Sequence, residues 1–131
     1  MGITQQGIEG EQMLLKWLRN KGISCFQPDA IGYKNGKYIL YECKHQARFK
    51  APPFDGHGLP KWQIEARLKF QFETNILCIL VIFDSETNEV FYQYIDVLEN
   101  GEHIDTKGLK PRRIYKLTSF ITDQSGSPPN K

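Results

Sequence analysis

The chain has 131 residues, of which 40% are hydrophobic and 24% charged, with a formal net charge of +2. That length and composition fit one domain able to bury a core unaided, which excludes a disordered chain and a disulfide-stapled miniprotein. The longest apolar run, residues 76–83, is far too short for a bilayer-spanning helix, so no membrane association is expected.

Cys25, Cys43 and Cys78 are odd in number, widely spaced and set in apolar segments, and no Cys/His cluster has zinc-ligand spacing. They read as free buried thiols in a reducing compartment. The start, MGITQQGIEGEQ, is polar and carries acid, unlike a signal peptide. A cytoplasmic protein is expected.

In chain order, Ile8, Leu14, Leu15 and Leu18 follow helical spacing, which predicts a first helix over 7–21, stopped by Gly22. A short strand or extended lead-in at 23–26 follows. Strands are predicted over 29–33 and 37–44, joined at Asn35-Gly36, the clearest turn signal in the chain. Residues 45–59 hold Pro52, Pro53, Gly56 and Gly58 and read as a loop. Pro60 opens a second helix that ends near Thr74-Asn75. Residues 76–83 read as a central buried strand and, after a turn at 85–88, residues 90–94 as a further one. These elements give the order α-β-β-β-α-β-β, and a helical turn at 95–98 and a further strand at 113–117 can follow. The fold class is α/β, a mixed sheet with flanking helices. A single domain is expected over 1–122, with 123–131, ending SGSPPNK, as a disordered tail.

Charge is segregated along the chain. Asp84, Glu86, Glu89, Asp96, Glu99, Glu102 and Asp105 form an acidic stretch without Lys or Arg, and Lys107, Lys110, Arg112, Arg113 and Lys116 a basic one without acid. A second basic group, Lys44, Arg48 and Lys50, follows the hairpin. Such blocks fit either a nucleic-acid surface or solvated loops.

The two-residue Asn-Gly loop sets the hairpin register: Lys34 opposite Lys37, Gly32 opposite Ile39, Ala30 opposite Tyr41, and Asp29 opposite Glu42. Strand alternation puts Leu40, Glu42 and Lys44 on one face and turns Tyr41 and Cys43 to the other. Two opposed carboxylates, with Cβ atoms roughly 5 Å apart, destabilise a sheet. Protonation of one acid, a bridging cation or full solvation would relieve the pair, and Mg²⁺ suits such oxygen ligands. Lys44 stands roughly 7 Å along the same face by strand rise. In the first helix Glu11 shares a stripe with Leu15 and Leu18, where a carboxylate must be paired or ligated, or serves the helix dipole. Gln63 borders the apolar face of the second helix, with Ala66 and Phe70.

An Asp, then a hairpin, then Glu-x-Lys, here Pro28-Asp29 followed by Glu42-Cys43-Lys44, preceded by a helix bearing Glu11 and followed by one bearing Gln63, resembles the PD-(D/E)xK nucleases. The whole order is similar to the archaeal and phage-type Holliday junction resolvases over residues 7–94. The resemblance implies a restriction-endonuclease-like fold and a metal-dependent DNA endonuclease that hydrolyses phosphodiester bonds. Glu11, Asp29, Glu42, Lys44 and Gln63 would be its catalytic residues. Asp29, Glu42, the Cys43 backbone carbonyl and Glu11 would hold Mg²⁺, with Mn²⁺ as a substitute. Lys44 would position the attacking water, and Gln63 would orient the lysine or a water. Arg48, Lys50 and Lys61 are the expected DNA contacts, and His45 and His57 secondary candidates for catalysis. Branched or duplex DNA is the implied partner and a homodimer the implied assembly. Another nuclease role on the same fold, or a non-catalytic nucleic-acid-binding module, remains an alternative.

Overall fold

A computed structural model of the chain describes residues 5–51 and 53–123. The order is α1 (Gln5–Asn20), β1 (Ala30–Lys34), β2 (Lys37–Gln46), β3 (Phe49–Ala51), β4 (Phe54–Pro60), α2 (Lys61–Thr74), β5 (Leu77–Asp84), β6 (Val90–Tyr94), α3 (Ile95–Glu99), β7 (His103–Asp105), β8 (Arg112–Lys116) and β9 (Ile121–Asp123). The architecture is mixed α/β, and no helix is long and apolar enough to cross a membrane.

The strands form two sheets, β1-β2-β5-β6-β9 and β3-β4-β8-β7. β5 reads LCILVIFD and lies at the centre of the first sheet, parallel to β2 and antiparallel to β6. A parallel pair needs a long crossover, and residues 47–76 supply it as the β3–β4 hairpin and α2. Leu80 and Ile82 of β5 are fully buried in one core with Leu59, Ile64, Ile95, Leu98 and Tyr115. Each such side chain stabilises the fold by about 2 kcal/mol.

The proposed loop at 45–59 is strand: β2 runs on to Gln46, and β3 and β4 form a hairpin whose second strand pairs with β8. Its glycines are there for close approach, not for turning. A Cβ at Gly56 would fall 2.2 Å from the Tyr115 carbonyl oxygen, and one at Gly58 1.7 Å from that of Arg113. The lead-in at 23–26 joins no sheet. The apolar stripe of α1 does not pack on the sheet. Ile8, Met13, Leu14 and Trp17 are exposed, and only Leu15 and Leu18 are half-buried. The helix is tied at its C-terminal end, where the Ile23 amide bonds the Leu18 carbonyl and Gly22 takes φ +78°.

The charge blocks that alternate along the chain meet in space. Arg113 holds both Asp105 and Glu99 at 2.8 Å, and Lys116 holds Glu102 at 3.1 Å. Arg48, one of the expected DNA contacts, is part-buried and paired, 3.1 Å from Asp84 and 3.6 Å from Glu89. Lys50 and Lys61 also have acidic partners, Glu86 at 3.8 Å and Asp105 at 3.2 Å.

His57 and Asp84 join the two sheets. Both side chains are fully buried, with His57 Nε2 2.9 Å from Asp84 Oδ2. The Gln46 amide reaches His57 Nδ1 at 3.1 Å and the Gly58 carbonyl at 3.3 Å, so it donates to both. Nδ1 is therefore the acceptor, and the ring proton sits on Nε2, donated to Asp84. Burial lowers the His57 pKa against the pull of Asp84. Burial pushes Asp84 up, but hydrogen bonds from His57 and the Glu86 and Thr87 amides, with Arg48 beside it, outweigh that and hold it at about 2. The neutral imidazole is a structural joint, which removes His57 from the catalytic candidates.

Asp123, placed by the sequence reading in a tail over 123–131, pairs with Val90 as the last residue of β9. Residues 124–131 lie outside the described residues.

Candidate active site

The site is built on the β1–β2 hairpin. Asn35 and Gly36 take φ of 53° and 77°, as a tight two-residue turn requires. The register is the expected one, from Lys34 opposite Lys37 to Ala30 opposite Tyr41. Leu40 and Glu42 are buried and Lys44 half-buried on one face, while β5 lies alongside with Leu80 beside Glu42. Cys43, expected to be a packing residue, is exposed. Partial desolvation of the thiol beside the strand, then the charge of Asp29, raises its pKa.

Asp29 stands just before β1 and is bound to β2 through the backbone. Its Oδ2 accepts the Cys43 amide at 2.8 Å, and its own amide donates to Glu42 Oε2 at 3.3 Å. The backbone N–H and C=O of one strand residue leave on the same edge, so the Cys43 carbonyl also faces the Asp29 side.

The second helix completes the site. Pro60 precedes its first residue and Asn75, at φ 62°, ends it. Gln63 and Arg67, four residues apart, share one face. The Arg67 guanidinium is buried and directs Nε and Nη2 to Glu42 Oε1. The acid pair is thus relieved by a cation that the protein itself supplies. Burial is the main cause of a raised Glu42 pKa, which Arg67 pulls back and Asp29 reinforces.

Asp29, Glu42, Lys44, Gln63 and Arg67 line one cavity of about 80 Å³, together with Gln27, Cys43 and Leu59. Four of the five expected catalytic side chains therefore converge. The fifth, Glu11, is exposed on α1 and does not line the cavity. His45 lies instead on a separate hollow of about 440 Å³ with Asp84 and Glu89. Sequence reasoning passed over Arg67. The stripe argument applied to Glu11 also singles it out, since Arg67 follows Ile64 by three residues on the buried side of α2.

Among the described residues no three His, Cys, Asp or Glu side chains are grouped to hold a metal ion. The donors available to one are carboxylate oxygens of Asp29 and Glu42 and the Cys43 carbonyl, a hard all-oxygen set that fits Mg²⁺ or Mn²⁺.

No family model matches the chain, and no curated protein matches it. Among solved structures it is similar to a Holliday junction resolvase of the archaeal hyperthermophile Archaeoglobus fulgidus, with 14% identity over 89% of this chain and 91% of that one, at a TM-score of 0.47.

Proposed function

We propose that the chain is a metal-dependent DNA endonuclease that hydrolyses phosphodiester bonds, selective for branched DNA and acting as a homodimer. The observation that carries the chemistry is the convergence of Asp29, Glu42, Lys44 and Gln63 on one small polar cavity. Branched substrate and dimer rest on the resemblance of the Asp29, Glu42-Cys43-Lys44 pattern to the resolvases, whose two symmetric cuts call for a two-fold assembly.

Phosphodiester hydrolysis needs an activated water and relief of charge on the phosphate. Asp29, Glu42 and the Cys43 carbonyl would hold Mg²⁺ or Mn²⁺. When bound, such an ion lowers the pKa of a water and polarises the phosphoryl oxygen. Lys44, beside Glu42 on the same strand face, places a mobile cation where charge builds on the phosphate. Gln63 reaches the cavity from α2 and orients Lys44 or the water. Arg48, Lys50 and Lys61 would be the DNA contacts, each giving up an ion pair to do so.

A non-catalytic DNA-binding module is the second reading. It is favoured by one observation: both Glu42 oxygens already accept hydrogen bonds from protein donors. A cleavage assay separates the two. Purified chain is incubated with a four-way junction, linear duplex or single-stranded DNA, in Mg²⁺, Mn²⁺ or EDTA. Paired metal-dependent nicks on the junction are expected. Cleavage of all three substrates retains the nuclease and removes the junction preference. Binding without cleavage in any metal supports the module.

A further inference from the structure

Arg67 is 5% exposed. A guanidinium has five N–H donors, and a buried one must place them all. Nε and Nη2 turn to Glu42 Oε1, Nη2 also reaches the Gln27 carbonyl at 3.5 Å, and the Phe26 ring lies 4.2 Å from the group's centre. Nη1 is sealed from solvent and, among the described residues, has no hydrogen-bond partner. The cation is therefore incompletely satisfied and held chiefly by one carboxylate.

We propose that Arg67 is the resident counter-cation of Glu42, exchanged for the divalent ion when the site is loaded and then free to bind a DNA phosphate. The inference rests on the metal reading above. Arg67 Nε donates to Oε1 and Nη2 is ion-paired with the same oxygen, so the guanidinium encloses it. Metal ligation through that oxygen requires the arginine to leave. A guanidinium and a divalent ion on the same carboxylate also repel each other. The coupling is reciprocal: the ion loosens Arg67, and loss of Arg67 tightens the ion. Once released, the fork of N–H groups, Nη1 included, matches a phosphate. Metal and DNA then reinforce each other, because the ion frees the arginine and the phosphate gives it a new partner.

The test is Mn²⁺ binding to the full chain without DNA, by calorimetry, for wild type, Arg67→Met, Arg67→Lys and Asp29→Asn. Arg67→Met keeps an apolar stem against Phe26 and releases Glu42, so Mn²⁺ should bind at least tenfold more tightly. Arg67→Lys restores a cation and should return the affinity toward wild type. Unchanged or weaker binding by an Arg67→Met protein with a wild-type circular dichroism spectrum overturns the exchange. Should that variant fail to fold, the wild type decides by nuclear magnetic resonance. The Arg67 Nε–H should be protected from solvent exchange without metal, and should shift and exchange in saturating Mg²⁺; a resonance that stays put overturns the proposal. Failure of the metal reading looks different, because then neither wild type nor Arg67→Met binds Mn²⁺ and both readings fall. Binding that Asp29→Asn abolishes and Arg67→Met leaves unchanged removes only the role of Arg67.

Discussion

Replacing Asp84 by asparagine removes the charge at the joint between the two sheets and leaves its shape. The substituted side chain keeps an oxygen for the Glu86 and Thr87 amides, which Asp84 Oδ1 accepts at 2.8 and 3.1 Å. Its amide nitrogen then faces two donors, His57 Nε2–H and Arg48. The Asp84 carboxyl is fully buried and held at about 2 from an ordinary 3.8, which corresponds to roughly 2–3 kcal/mol at about 1.4 kcal/mol per tenfold in proton affinity. Breaking a buried pair costs about 3–5 kcal/mol, and Arg48 retains some solvent, so a loss of about 3 kcal/mol is expected at pH 7. For a chain of this size that lowers Tm by roughly 10 °C.

The folded pKa of Asp84 lies below the unfolded one, so its stabilisation is complete above about 3.8 and is lost as pH falls toward about 2. The wild-type and Asp84→Asn stabilities should converge over that window. His57, also lowered, contributes above its ordinary 6.5, and the wild type should begin to weaken as pH falls below that value. Urea unfolding followed by circular dichroism from pH 8 to 2 measures both effects. A variant within about 0.5 kcal/mol of wild type at pH 7, or a difference that persists undiminished at pH 2, would show that the Asp84 charge does not hold the joint.

Lys44→Ala should reduce junction cleavage by about a hundredfold or more while Tm stays within a few degrees, because Lys44 is half-buried on the cavity wall and outside the core; equal nicking rates would remove the lysine from the mechanism. Asp29→Asn should leave metal-free stability within about 0.5 kcal/mol, since an asparagine oxygen still accepts the Cys43 amide, and should weaken Mn²⁺ binding at least tenfold by calorimetry. Gly58→Ala should cost about 3 kcal/mol or more, because its Cβ would meet the Arg113 carbonyl oxygen at 1.7 Å; a thermal melt within two degrees of wild type would contradict the β4–β8 approach.

The features legible in the chain before folding are local ones. The Asn35-Gly36 turn, the hairpin register, the ends of α2 and the β6 strand depend on residues within a few positions of one another. The register alone brought Asp29 to Glu42 and put Lys44 on the same face. Residues 45–59 misled because Gly and Pro signal turns in a single chain, whereas Gly56 and Gly58 make room for β8, a strand far along the sequence that pairs with them through Lys116 and Ile114. The α1 stripe misled for the opposite reason, since helical periodicity shows which side is apolar and not whether anything covers it. Tertiary structure decided the second sheet, the pairing of the acidic and basic blocks, and the two buried charge contacts. His57 meets Asp84 across 27 residues and Arg67 meets Glu42 across 25. Contacts at that separation have no period to betray them: whether a charged side chain is a surface contact, a structural joint or the cation of a site depends on which surfaces fold over it.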